Sequence, residues 1–275
     1  DQMHQNKILL YFLIDHTPLY SHHFRLPLCQ PHDNTEVECF CRNMNELKIG
    51  ICGWGNVATG LYKSIHKNKK QIEAAANKKI DIIVIGARRD NPKCDPKEVN
   101  IERDIFDVLN HDIDVVVELI GGVDVARDLI LASIEKGIHV ITANKAVLYH
   151  HGDEIFSKAA AKNVHVLFEA SVCAGTPIIK MLKEELAGNR ISKISGMLNG
   201  TSNFILSQME EKAMPYSEAL LEAQKLGYAE SDPTADVSGQ DAASKAAIIA
   251  MVAFGADVSL DDVLFEGIQN ISSAD

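Results

Sequence analysis

A chain of 275 residues and 30.2 kDa has room for two ordinary domains and can bury roughly three quarters of the surface its unfolded form exposes. With 46% hydrophobic and 24% charged residues and a mean hydropathy of −0.04, it reads as globular, without low-complexity tracts. A net charge of −11 and only 6% aromatics argue against nucleic acid or an anionic membrane as partner, and no apolar run near the N-terminus reaches the roughly 20 residues of a membrane span. Six cysteines without CxxC spacing make no disulfide scaffold, so a cytoplasmic protein is expected.

The first 46 residues hold five of the eleven histidines (His4, His16, His22, His23, His32) and three of the six cysteines (Cys29, Cys39, Cys41). Their spacings fit no common metal-ligand arrangement, and no sustained helical or strand period is present. Met44 stands directly before the first clear strand. It is expected to be the natural start, with 1–46 an unmatched extension that has no part in function.

From 47 onward short apolar runs alternate with amphipathic segments, which predicts βαβ units and a parallel sheet. Strands are predicted over 47–52, 80–86, 114–118, 138–142 and 164–168, with helices over 57–68, 125–136 and 152–162 between them. Past 177 the rhythm changes. A helix over 177–186 and a strand over 191–198 precede helices over 203–212, 216–226 and 241–254. The expected architecture is α/β, a Rossmann-type doubly wound parallel sheet over 47–176, with an appended α+β substrate and dimerisation domain over 177–275.

Gly53-Trp54-Gly55-Asn56-Val57-Ala58 lies between a predicted strand and a predicted helix, the setting that a GxGxx(G/A) turn requires. Gly53 allows the tight turn, Gly55 a close approach to pyrophosphate, and Ala58 close helix–strand packing. The helix start, with Asn56 and Val57, offers free N–H groups to phosphates. The second strand ends in Gly86-Ala87-Arg88-Arg89-Asp90, so cations come first past its edge. Guanidinium suits a 2′-phosphate, which favours NADP; Asp90 keeps NAD open. Thr142-Ala143-Asn144-Lys145 falls at the ligand-binding edge of a later strand.

The densest stretch places Glu230, Asp232, Asp236 and Asp241 in a broken loop that enters a helix, with Lys245 one turn beyond Asp241. An ordinary capping box, Ser238 to Asp241, accounts for part of this pattern. Leu198-Asn199-Gly200-Thr201-Ser202-Asn203 likewise reads as a turn plus helix cap, with hydroxyls able to touch a substrate carboxylate.

Taken in order, the 53–57 turn, Glu118-Leu119-Ile120-Gly121-Gly122, 142–145, Phe168-Glu169-Ala170-Ser171-Val172, 199–203, 227–230 and 241–245 resemble homoserine dehydrogenases. The resemblance runs from 47 to 275. It implies NAD(P)H-dependent interconversion of L-aspartate 4-semialdehyde and L-homoserine, on the route to threonine and methionine. By that likeness Lys245 is the proton donor, Lys145 contacts cofactor and substrate, and Glu230, Asp236, Asp241 and Thr201 bind substrate. A monovalent cation, Na⁺, is implied on the loop of Glu169, Val172, Ala174 and Thr176, mainly through carbonyl oxygens. A homodimer is implied too, together with a C-terminal truncation that leaves the second domain incomplete. Ala58 departs from the family's third glycine, and Cys173-Ala174-Gly175-Thr176 from its usual Gly-Gly-Ile. Cys173 is read as an inert thiol rather than a nucleophile, since no activating histidine motif accompanies it. The competing readings are another two-domain NAD(P) oxidoreductase and a non-catalytic dinucleotide-binding fragment.

Overall fold

Six strands, β1 (Glu46–Cys52), β2 (Lys79–Gly86), β3 (Asn100–Glu102), β4 (Val115–Glu118), β5 (His139–Thr142) and β6 (Val166–Leu167), pair in parallel in the order β3-β2-β1-β4-β5-β6. This computed structural model describes residues 46–256, 258 and 262–272. The expected extension over 1–46, with its histidines, cysteines and Met44, therefore lies outside the described residues except for Glu46.

The strand order reverses between β1 and β4, the topology of a doubly wound dinucleotide fold. Val115 and Val117 face the cluster of α1 (Asn56–Ala76), while Val116 faces that of Leu129 on α2 (Asp124–Glu135). Burial on both faces explains why β4 reads as an unbroken apolar run. On α2 the buried residues Ala126, Leu129, Ile130, Ser133 and Ile134 recur at the helical period. Asn77 and Asn163 adopt the left-handed conformation that ends α1 and α3 (Lys145–Lys162).

Register sets the working edge. Cys52 is level with Gly86 and Glu118, and Glu118 with Thr142, so Gly53, Ala87, Leu119 and Ala143 emerge along one line.

The remainder is helical. A short helix, α4 (Ile178–Lys180), runs into a π-turn over Met181–Glu185, and α5 (Gly200–Lys212), α6 (Tyr216–Leu226), α7 (Thr234–Val237) and α8 (Gln240–Phe254) follow. α8 packs Ile248 and Ile249 into the same cluster as Leu148 and Ile155 of α3, which fixes the appended helices against the sheet domain.

Two expectations are corrected. The strand predicted over 191–198 pairs with no strand among the described residues, and it leaves Ile194 and Met197 exposed, because an apolar alternation cannot form a ladder without a neighbour. The helix predicted from 152 starts instead at Lys145. The chain does break beside Gly152, since α3 kinks at His151 (φ −136°, ψ 16°); what the expectation lacks is the helical stretch from Lys145 up to that kink.

Candidate active site

Gly53, at φ +104°, donates its N–H to the Gly86 carbonyl at 2.8 Å, and a Cβ on it would sit 2.5 Å from the Leu119 carbonyl oxygen. Gly55 begins α1, and a Cβ there would meet nothing within 4 Å. Its lack of a side chain meets no packing need of the protein itself and leaves the backbone open to a ligand. Asn56, Val57 and Ala58 supply first-turn N–H groups that lie beyond the reach of helical carbonyls. Ala58 is fully buried and so makes the close packing expected of the third glycine position.

The turn walls a cleft of about 560 Å³, also lined by Trp54, Arg88, Arg89, Asp90 and Ile120. Arg88 and Arg89 are exposed at its rim and have no ion-pair partner among the described residues. Asp90 is engaged by Arg103, whose Nη2 lies 2.7 Å from Oδ1 while Nη1 donates to the Ala87 carbonyl at 3.2 Å. Arg103 escaped sequence reasoning because β3 did; the three-residue strand that carries it to this edge is too short to read. The donor set thus fits a dinucleotide: open N–H groups for pyrophosphate, and two unpaired guanidinium groups on the rim.

Glu118 braces the opposite wall. It is fully buried, its Oε1 accepts the N–H groups of Ile120 and Gly121 (2.9 and 3.3 Å), and its Oε2 accepts the Thr142 hydroxyl at 2.5 Å. Thr142 Oγ1 in turn accepts the Asn144 N–H, and Asn144 Nδ2 donates to the Gly122 carbonyl at 2.6 Å. Asn144 also caps α3 by accepting from the Val147 N–H. Lys145, the first residue of α3, is placed by this chain of bonds.

Lys145 reaches across to Asp241 in the first turn of α8, where its Nζ bonds Oδ1. Lys245, one turn on, places its Nζ 2.6 Å from Asp241 Oδ2 and donates to the Leu198 carbonyl at 2.9 Å. The Asp241 side chain is 7% exposed, Lys245 17% and Lys145 38%, so one buried carboxylate carries two lysines that reach partway to solvent. Burial alone would raise the Asp241 carboxyl, but hydrogen bonds from Lys145, Lys245 and Asn199 outweigh it and hold its pKa below the usual carboxylate value. The capping box is not formed: Gly239 is the N-cap, without a side-chain cap bond, and Asp241 faces the lysines instead.

The other expected positions are less uniform. Asp236 joins the cluster through Asn199 Nδ2, which lies 2.6 Å from its Oδ1. Thr201 is buried, and its hydroxyl donates to the Tyr228 carbonyl at 2.7 Å. Glu230 is exposed, and its side chain has no hydrogen-bond or ion-pair partner among the described residues. The Glu169 carboxylate accepts the N–H groups of Ile179 and Lys180, both at 2.8 Å, so it caps the chain at α4 rather than facing the 172–176 loop. The Thr176 carbonyl accepts from Ile178, whereas Val172 and Ala174 have carbonyl oxygens available for a cation. Burial pushes the Cys173 thiol up, away from a nucleophilic thiolate. No helix among the described residues is long and apolar enough to cross a membrane.

Comparison with known proteins bears on both halves. A family model described as "Homoserine dehydrogenase, NAD binding domain" matches residues 53–169, and one described as "Homoserine dehydrogenase" matches 177–275. A curated homoserine dehydrogenase of Pseudomonas aeruginosa is 51% identical over 233 residues, covering 84% of this chain and 54% of that protein. A solved homoserine dehydrogenase from Thiobacillus denitrificans superposes with a TM-score of 0.77 at 41% identity, over 83% of this chain and 54% of that one. A hyperthermophilic archaeal homoserine dehydrogenase in complex with NADPH gives a TM-score of 0.70 at 26% identity, over 84% of this chain and 76% of the other. The chain spans about half the length of the curated relatives it matches.

Proposed function

This chain belongs to the homoserine dehydrogenase family, and on that footing we propose that it interconverts L-aspartate 4-semialdehyde and L-homoserine with a nicotinamide dinucleotide, on the route to threonine and methionine. The observation that carries the reading is the buried Asp241 carboxylate holding Lys145 and Lys245, with Lys145 next to Asn144, which bonds the Gly122 carbonyl just past Leu119 and Ile120 in the wall of the dinucleotide cleft. The dinucleotide domain is taken as 47–176 and the substrate region as 177–275.

When bound, the reduced nicotinamide supplies the hydride. As negative charge builds on the substrate's carbonyl oxygen, the Lys245 ammonium stabilises it and gives up a proton from Nζ. Lys145, at the boundary between the two regions, orients cofactor and substrate. Asp241 keeps both ammonium groups in place, and with Asp236 and Glu230 it offers negative charge to the substrate ammonium. Because the Thr201 hydroxyl already donates to Tyr228, it keeps only acceptor capacity. It therefore suits the substrate ammonium better than the carboxylate.

NADP is the proposed cofactor, with NAD as the lesser one, because Arg88 stands unpaired at the cleft rim while Asp90, the group suited to a ribose hydroxyl, is occupied by Arg103. Arg88→Ala is expected to weaken NADPH about tenfold or more and NADH less than about twofold, as losing one charge-assisted bond predicts. Fluorescence titration with both cofactors checks this, and equal losses would remove the preference.

A monovalent cation, Na⁺, is proposed on the carbonyls of the 172–176 loop, with the Glu169 carboxylate acting as a helix cap beside it. The protein is further proposed to work in the cytoplasm as a homodimer on a small molecule, without nucleic acid or membrane. Its net charge of −11 supports the last point, and light scattering reads the dimer.

The deciding experiment follows NADPH oxidation with aspartate semialdehyde, in Na⁺ and again in choline. Turnover that falls in choline is expected. Turnover only with other carbonyl substrates would indicate a different oxidoreductase, and NADPH binding without any turnover a non-catalytic dinucleotide-binding protein.

A further inference from the structure

Asn199 is a buried amide with all of its bonding fixed. Its Oδ1 accepts the Ser202 N–H at 2.7 Å and so caps α5, while Nδ2 donates to Asp236 Oδ1 at 2.6 Å and to Asp241 Oδ2 at 2.9 Å. Turned over, the amide would set an oxygen against two carboxylates and an N–H₂ against an N–H, so only one orientation is possible. The carbonyl just before it, on Leu198, accepts the Lys245 ammonium. Two adjacent residues of one turn thus hold both ends of the Asp241–Lys245 pair.

A residue that only capped α5 would need its oxygen alone; serine and aspartate cap as well as asparagine. The two amide hydrogens do something else. They clamp Asp236 to Asp241, two carboxylates that would otherwise repel each other, and they fix the rotation of the Asp241 carboxylate. That rotation decides whether Oδ1 meets Lys145 while Oδ2 meets Lys245.

We propose that Asn199 is a positioning residue, whose amide N–H₂ locks the Asp241 carboxylate and through it places Lys245 and Lys145. The proposal rests on the reading of Lys245 as proton donor. The charged or titratable groups around Asp241 are Lys245 on its own helix, Lys145 on α3, Asp236 on α7 across the amide, and Cys173 in the loop before α4. Because Asp241 titrates below the usual carboxylate value, its contacts are complete at neutral pH and are lost as pH falls through that pKa. Removing one donor raises the pKa, so the loss begins at higher pH.

Asn199→Ser keeps an oxygen for the cap and removes the N–H₂; Asn199→Asp keeps the cap and adds a third carboxylate; Asn199→Ala loses both functions. The measurements are the melting temperature, the Asp241 carboxyl titration by ¹³C NMR (assigned with Asp241→Asn), and kcat against pH. In Asn199→Ser we expect a melting temperature about 3–6 °C below wild type, because a one-unit rise at Asp241 costs about 1.4 kcal/mol at neutral pH, and a lower one still in Asn199→Ala, which also loses the cap. We also expect an Asp241 titration raised by about one pH unit and further in Asn199→Asp, with kcat down about tenfold and its acid limb moved up in step. An unchanged Asp241 titration in Asn199→Ser would overturn the proposal, as would a kcat loss that merely follows the melting temperatures of the Asn199→Ser and Asn199→Ala variants. Should wild type fail to turn over the aldehyde, the enzyme assignment falls, and the titration by itself still decides the role of Asn199.

Discussion

Lys245→Ala should lower kcat for aspartate semialdehyde reduction by about 10³-fold or more while leaving NADPH affinity within about twofold of wild type. Two losses add here: the proton donor, and the positive charge opposite the developing oxyanion. Lys145, on α3 rather than α8, has the separate role of orienting cofactor and substrate and is not expected to take over the proton transfer. The protein should stay folded, because Asp241 keeps Lys145 and Asn199 as partners and no buried carboxylate is orphaned. NADPH affinity should persist because no residue of α8 lines the dinucleotide cleft. Steady-state kinetics beside a fluorescence titration checks both halves. Turnover within about tenfold of wild type would show that another group delivers the proton.

The sheet was legible where burial on both faces writes a continuous apolar run, as in Val115, Val116 and Val117 of β4. β3 was not: two of its three residues are Asn100 and Glu102, and its strand character comes from pairing with β2 rather than from its composition. The break beside Gly152 was legible, and α3 does kink there at His151; the helical stretch from Lys145 up to the kink was not, because it starts from an Asn144 cap whose amide is held by the Gly122 carbonyl, a tertiary contact that local propensity does not carry. The same limit governs the site. Asp241 and Lys245 sit one turn apart and can be paired from spacing alone, whereas Lys145 is 96 residues away from Asp241 and joins them only because α3 packs on α8. Asn199 was visible as a cap, and it is one; the oxygen explains the local pattern, and the amide hydrogens serve partners 37 and 42 residues further on. No periodicity carries that second role.

Gly53→Ala and Gly55→Ala should fail in opposite ways, although both add one methyl to the same turn. At Gly53 the methyl would need φ +104°, a region that side chains rarely adopt, and would sit 2.5 Å from the Leu119 carbonyl oxygen and 2.7 Å from its carbon. Backbone cannot swing aside as a side chain can, and Leu119 is itself tied down by its N–H to the Cys52 carbonyl at 2.8 Å. A strained φ costs about 1–3 kcal/mol, and displacing the 119–122 wall adds to that. A drop in melting temperature of about 5–12 °C is expected, with cofactor binding lost as a consequence. Gly55 has an ordinary extended backbone, φ −83° and ψ −166°, and nothing within 4 Å of a Cβ. The Gly55→Ala protein should melt within about 4 °C of wild type, since alanine is a poorer N-cap than glycine by about 1 kcal/mol or less and no steric clash adds to that. Yet it should bind NADPH about tenfold more weakly or worse, because the open space beside Gly55 is where a pyrophosphate would approach the α1 N–H groups. Scanning calorimetry and NADPH titration on the pair separate the two effects. A Gly55→Ala variant that bound NADPH like wild type would mean that the empty volume at the start of α1 is not the phosphate cradle, whatever the strand order suggests.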